Sequence, residues 1–175
     1  RDSTYANMTF GQNLGITMIQ TATAFSAVVN GGIWRTPTVV KGTLENGTIN
    51  ERSAVEIAEK QSDNILKEET SAMMREMLVN NRSYKVRQGI DRAGYAIGGK
   101  SGTAQTIVNG SYDDSFGQMI GSYIGFVGPQ AELPKYVIMV KMWGEGQALA
   151  GGDAQNLFDS LSNYTIDYFK IKPRL

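Results

Sequence analysis

Three strand-forming segments follow one another in the second half of the chain, at 95–106, 120–127 and 136–143, and an amphipathic stretch closes it over 153–170. Successive strands joined by short connections pair as antiparallel neighbours, because a parallel crossover needs roughly a dozen residues or more. The connection Gly128–Pro134 is ordinary, whereas that around Asn109–Asp114 is long for a hairpin, the kind of loop that often borders a site. The closing stretch carries Leu157, Phe158, Leu161, Thr165, Tyr168 and Phe169 at helical spacing, and that face is expected to pack on the sheet. Upstream the pattern is helical. Thr17 and Gln20 form a capping box, Met18, Ala22, Phe25 and Val29 repeat behind it, and Gly31-Gly32 stops a helix over 17–30. Residues 33–43 read as extended with Pro37 outside any central ladder, Asn46-Gly47 as a turn, and Ser53–Glu56 as a short helix start. A helix over 68–80 should bury Met73, Met74, Met77 and Leu78. Helices, then a three-stranded antiparallel meander, then a C-terminal helix make an α+β fold.

Composition narrows the chemistry. The 175 residues include no Cys and no His, so there is no disulfide, thiolate nucleophile, imidazole base or Cys/His metal site. Acid–base work would fall to Lys, Tyr or carboxylates. No metal and no cofactor is expected. Seventeen basic residues balance 17 acidic ones, which gives no support to a nucleic-acid partner or an anionic membrane. No apolar run approaches the roughly 20 residues that span a bilayer. Arg1 stands where a Met would open a gene, and the sequence starts in mid-pattern, so a piece of a longer protein is expected.

Gly98-Gly99-Lys100-Ser101-Gly102-Thr103-Ala104 is the most informative stretch. It lies inside a strand, yet most of its residues are poor strand formers. Such a strand suits close approach. Gly102 removes a side chain so that another backbone can lie alongside, Lys100 supplies a positive charge, and Ser101 and Thr103 supply hydroxyls. These groups fit a peptide-like ligand with a carboxylate, added as an extra strand. A Gly-rich edge strand with an exposed Lys is the alternative. Gly94-x-x-x-x-Gly99-Lys100-Ser101 also spells the phosphate-loop pattern, but the run is followed by strand-like sequence and not by the helix that such a loop needs.

Lys100-Ser101-Gly102-Thr103-Ala104 resembles the Lys-[Thr/Ser]-Gly element of penicillin-binding proteins and serine β-lactamases. The run from Met8 to Thr17, continuing through Gln20-Thr21-Ala22, Ala24-Phe25 and Val29–Gly32, resembles the segment before that element in class B penicillin-binding proteins, and Gly121–Pro129 resembles the strand after it. The likeness covers nearly the whole chain. It implies a partial transpeptidase fold of the penicillin-binding protein/serine β-lactamase type, with residues 1–175 as the C-terminal portion of the domain. It further implies a parent D,D-transpeptidase that cross-links peptidoglycan stem peptides through a serine acyl-enzyme, serves cell division or cell shape, and is acylated by β-lactams. Lys100 and Thr103 would be catalytic, the Thr103 N–H being one oxyanion donor, and Ser101, Gly102 and Thr103 would bind substrate. The expected place is the cell envelope, on the outer face of the cytoplasmic membrane, with a membrane-anchored parent.

The family's nucleophile lies in Ser-x-x-Lys. Three residues before the nine Lys stand Thr38, Ile57, Asn64, Arg82, Ile97, Glu132, Ile138, Asp167 and Phe169, none of them Ser. Ser62-Asp63-Asn64 spells the family's Ser-x-Asn motif but falls after the 8–32 block instead of before it, and reads as a turn or helix approach. The chain therefore resembles the carboxylate-binding side of a cleft whose nucleophile belongs to a missing N-terminal part, and is expected to be inactive alone. A non-enzymatic β-lactam or peptide sensor and a β-lactamase part are the alternatives. Trp143 reads as core or rim packing, and Lys141 as an outward strand residue. A sheet without its N-terminal strands exposes an edge, so self-association is expected.

Overall fold

In a computed structural model, residues 2–9, 11, 14–51, 61–84, 91–108, 111–112, 119–144 and 149–174 are described. The expected short helix start at 53–56 lies outside them. Helix α1 (Asp2–Met8) is followed by α2 (Met18–Val29), β1 (Ile33–Arg35), the hairpin β2 (Gly42–Glu45) and β3 (Thr48–Glu51), then β4 (Gln61–Asn64) and α3 (Glu68–Tyr84). The second half holds β5 (Tyr95–Gln105), β6 (Ile107–Val108), β7 (Ser111–Tyr112), β8 (Met119–Pro129), β9 (Tyr136–Met142) and α4 (Gly151–Tyr168).

Local chemistry accounts for several boundaries. Thr17 caps α2 as the spacing predicts: the Gln20 N–H donates to Thr17 Oγ1 at 3.3 Å, and the Thr17 N–H donates to Gln20 Oε1 at 2.9 Å. Gly31 and Gly32 follow with φ of +95° and +89°. Asn46 and Gly47, both at positive φ, turn β2 into β3. Ser62-Asp63-Asn64, expected as a turn or helix approach, lies in β4 and pairs with β1.

β5, β8 and β9 form the antiparallel meander, in that order. The loop between β5 and β8 contains the two-residue ladder β6–β7. Helix α4 covers one face, where Phe158 and Ile166 meet Ile97, Tyr123, Val127 and Val140. Helices α2 and α3 cover the other, where Val29 and Leu78 meet Phe126. The paired glycines that open the Lys100 stretch belong to this packing. A Cβ on Gly98 would stand 2.6 Å from Phe126 Cε1 and 3.0 Å from Val79 N, and one on Gly99 would stand 2.5 Å from Tyr123 Cε1. Aromatic rings from β8 occupy the space that these two residues leave empty.

Two helix faces differ from expectation. In α4 the buried positions are Gly151, Ala154, Gln155, Phe158, Asp159, Ser162 and Ile166, whereas Leu157, Leu161 and Tyr168 are exposed. In α3, Ser71, Leu78 and Arg82 are buried, while Met73 and Met77 are exposed. A charge explains both shifts. Arg82 is fully buried and is held by Asp91 at 2.8 and 2.6 Å and by Asp159 at 2.7 Å, with its guanidinium 5.4 Å from the Phe158 ring centre. Burial alone would lower its basicity, but the hydrogen-bonded Asp91 carboxylate, with Asp159 and Tyr123 close by, outweighs that and raises it. Asp159 must therefore face inward, which rotates α4 away from its apolar stripe. Phe158→Ala should cost about 3–5 kcal/mol of stability, and Leu161→Ala no more than about 0.5 kcal/mol, by urea unfolding.

Candidate functional site on strand β5

The second half of β5 changes character. Residues 97–99 are buried, Lys100 and Thr103 are exposed, and Ser101 and Gly102 are half-buried. Among the described residues β5 pairs only with β8, so its other edge is open. The register places Lys100 opposite Ile124, Ser101 opposite Tyr123, Gly102 opposite Ser122 and Thr103 opposite Gly121. All four predicted site residues thus lie side by side on one edge strand.

Alternation divides them between two faces. Ser101 and Thr103 stand on the α4 side, with Ile97 and Gly99. Lys100 and Gly102 stand on the other, with Gly98 and Ser122. A ligand laid along the edge would reach both sets, whereas one bound on a single face would reach only one. Lys100 Nζ donates to the Ser101 carbonyl at 2.8 Å and keeps two further donors. Ser122 Oγ donates to the Gly102 carbonyl at 3.4 Å. Thr103 Oγ1 accepts from the Gly151 N–H at 3.0 Å. Among the described residues no acceptor meets the Ser101 or Thr103 hydroxyl proton. An ammonium and two hydroxyls with unused protons, beside an open strand edge, make a surface suited to an anionic, peptide-like ligand.

Gly121 and Gly151 are contributions that the sequence reading missed. A Cβ on Gly121 would overlap the Ala150 carbonyl oxygen, and one on Gly151 would stand 2.8 Å from Ser101 Cβ and 2.9 Å from the Gly102 oxygen. The start of α4 is thereby pressed flat against β5 and β8 beneath the motif. The unexplained Gly at 121 and the Gly151-Gly152 pair were the available signal. Two concavities of about 540 and 530 Å³ lie elsewhere, one by Tyr136 and Phe169 and one by Arg75 and Phe126, and neither reaches 100–103. No cluster of metal-binding side chains occurs among the described residues. Trp143 is 67% exposed, so it is not part of the core, and the outward Lys141 Nζ lies 5.4 Å from its ring centre.

The profile of a family described as the penicillin binding protein transpeptidase domain matches residues 2–163. The stage V sporulation protein D of Bacillus subtilis (strain 168) is 32% identical over 174 residues, which are 97% of this chain and 26% of that protein. Penicillin-binding protein PbpB of Mycolicibacterium smegmatis is 30% identical over 179 residues, 94% of this chain and 26% of that protein. Penicillin binding protein 3 of Mycobacterium tuberculosis, solved in complex with ampicillin, superposes with a TM-score of 0.73 at 23% identity, covering 98% of this chain and 39% of that one. The chain thus spans about a quarter of the length of these curated relatives.

The close approach at Gly121 gives a direct test. Gly121→Ala should cost about 1–3 kcal/mol, because the opposing atom is backbone and the helix start must lift. Gly102→Ala should cost under about 1 kcal/mol, because its new methyl would meet only Ser122 Oγ, which can rotate away. Chemical denaturation of the two variants separates these outcomes.

Proposed function

Because the chain belongs to the class B penicillin-binding protein transpeptidase family, we propose that it is the C-terminal portion of a peptidoglycan D,D-transpeptidase that cross-links stem peptides through a serine acyl-enzyme. Its own part is the carboxylate and oxyanion side of the cleft. The observation that carries this reading is the row of donors on Lys100, Ser101 and Thr103 with hydrogens to spare among the described residues, beside a strand edge that is unpaired among them.

A stem peptide or β-lactam lies antiparallel along β5. Its terminal carboxylate takes hydrogen bonds from the Ser101 and Thr103 hydroxyls, and Gly102 leaves room for its backbone. The Thr103 N–H stabilises the oxyanion, a contribution that elsewhere reaches roughly 100- to 1000-fold in turnover for a single donor. Lys100 supplies a fixed positive charge near the reacting serine, which lies in the N-terminal part of the domain. Penicillin binding protein 3 of Mycobacterium tuberculosis was solved complexed with ampicillin, which supports β-lactams as ligands of the parent.

The parent works at the cell envelope, on the outer face of the cytoplasmic membrane. No helix among the described residues is long and apolar enough to cross a membrane. The parent's N-terminal part is the natural partner of the outer edge of β9, which is unpaired among the described residues. In the isolated chain the same edge, with the exposed Leu157, Leu161, Tyr164 and Tyr168, supports self-association.

The parent protein should be labelled covalently by a fluorescent penicillin, and the isolated chain should not; labelling of the chain alone would remove the missing-nucleophile reading. Lys100→Met in the parent should slow labelling by roughly 100-fold or more.

A further inference from the structure

Thr103 is held by groups outside its own motif. The Gly151 N–H that donates to its hydroxyl is one of the donors left unpaired in the first turn of α4. That turn forms the positive end of the helix dipole. A hydroxyl has one proton and two lone pairs. With an N–H directed at the oxygen, its proton must point away from the helix, and among the described residues nothing accepts it. The Gly151 N–H thus takes one of the three hydroxyl directions and leaves the proton the two that face away from the helix.

The turn itself needs support. Ala150, at the N-cap position, has no side-chain acceptor to close the helix start. Asp153 does this from the third helical position: its Oδ2 accepts the Ala150 N–H at 2.8 Å. Gly151 packs against Ser101 Cβ and the Gly102 carbonyl, and Gly121 against the Ala150 carbonyl, so the turn has little freedom to slide. A continuous path therefore runs from the Asp153 carboxylate through the Ala150–Gly151 turn to the Thr103 hydroxyl.

We propose that Asp153 and Gly151 are positioning residues that turn the Thr103 hydroxyl proton away from the helix start, toward the carboxylate of the bound peptide or β-lactam. This rests on the reading that Thr103 binds that carboxylate. Neither residue touches the ligand. Asp153 acts by geometry and not by charge, since a negative charge near the site would by itself oppose an incoming carboxylate.

The test uses the parent transpeptidase containing this segment, with benzylpenicillin and its methyl ester as probes. The readout is the ratio of their second-order acylation rate constants, which isolates the contribution of the ligand's carboxylate. Thr103→Val should lower the acid-to-ester ratio by roughly 10- to 100-fold, and Thr103→Ser should hold it within about threefold. Asp153→Ala should lower the ratio by roughly threefold or more while the ester rate stays within about twofold. Asp153→Asn, which keeps an acceptor for Ala150 and removes the charge, should leave the ratio at or above its original value. If Asp153→Ala does not fold, Asp153→Ser replaces it with the same expected loss, its hydroxyl being too short to hold the turn. Equal loss for acid and ester, or no loss for either, overturns the positioning role. A ratio unmoved by Thr103→Val overturns instead the reading of Thr103 as the carboxylate ligand, so the two failures are distinct.

Discussion

A guanidinium can sit fully buried in a small α+β core only where carboxylates and hydrogen bonds replace the water it has lost. Arg82 meets that condition by drawing together Asp91, Asp159 and Tyr123. Those partners come from the approach to β5, from α4 and from β8, while Arg82 itself comes from α3. Helices on opposite faces of the sheet are thereby fixed relative to each other at the buried end of β5. Tyr123 shows the same environment from the other side: burial raises its pKa, and the neighbouring Arg82 guanidinium works against that. Removing one carboxylate would leave the charge in place without its full complement, so the arrangement specifies a position more than it adds stability.

With α4 fixed at that end, its N-terminus falls on the other half of β5. The strand has two regimes. From 97 to 99 it is core, and its glycines admit the rings of Phe126 and Tyr123. From 100 to 103 it is surface, and its side chains carry donors. The same residue type serves opposite ends within one strand. Gly98 and Gly99 are spaces filled from within the protein, while Gly102 faces only the movable hydroxyl of Ser122. A motif read as one uniform Gly-rich ledge is thus an anchored base and a projecting edge.

Much of this was legible in the sequence wherever the determinant is local. The capping box at Thr17 and Gln20, the turn at Asn46-Gly47 and the three strands of the meander depend on residues close together in the chain, and the structure has them where the pattern predicts. The faces of α3 and α4 were not legible. Periodicity selects the most apolar stripe, but the stripe that faces inward in α4 holds Gln155, Asp159 and Ser162, because a partner 77 positions away in sequence requires a carboxylate there. The same limit applies to the site. The residue types at 100–103 point to the proposed anion-binding edge, yet nothing in their spacing revealed that the start of a helix 48 residues later grips Thr103.

That grip bears on why a strand edge, an otherwise generic surface, can discriminate among ligands. Backbone donors along an open edge pair with any extended chain. Side-chain donors add selectivity only if their protons are already directed, since an unrestrained hydroxyl loses rotational freedom when it binds. Here the Thr103 oxygen is engaged by the helix start before any ligand arrives, whereas the Ser101 hydroxyl has no such restraint among the described residues. Two hydroxyls two residues apart on one face are therefore unequal: one is directed in advance, and the other can adapt to what is bound. On the proposed reading, such an edge would hold a carboxylate through Thr103 while Ser101 accommodates differences in the groups around it.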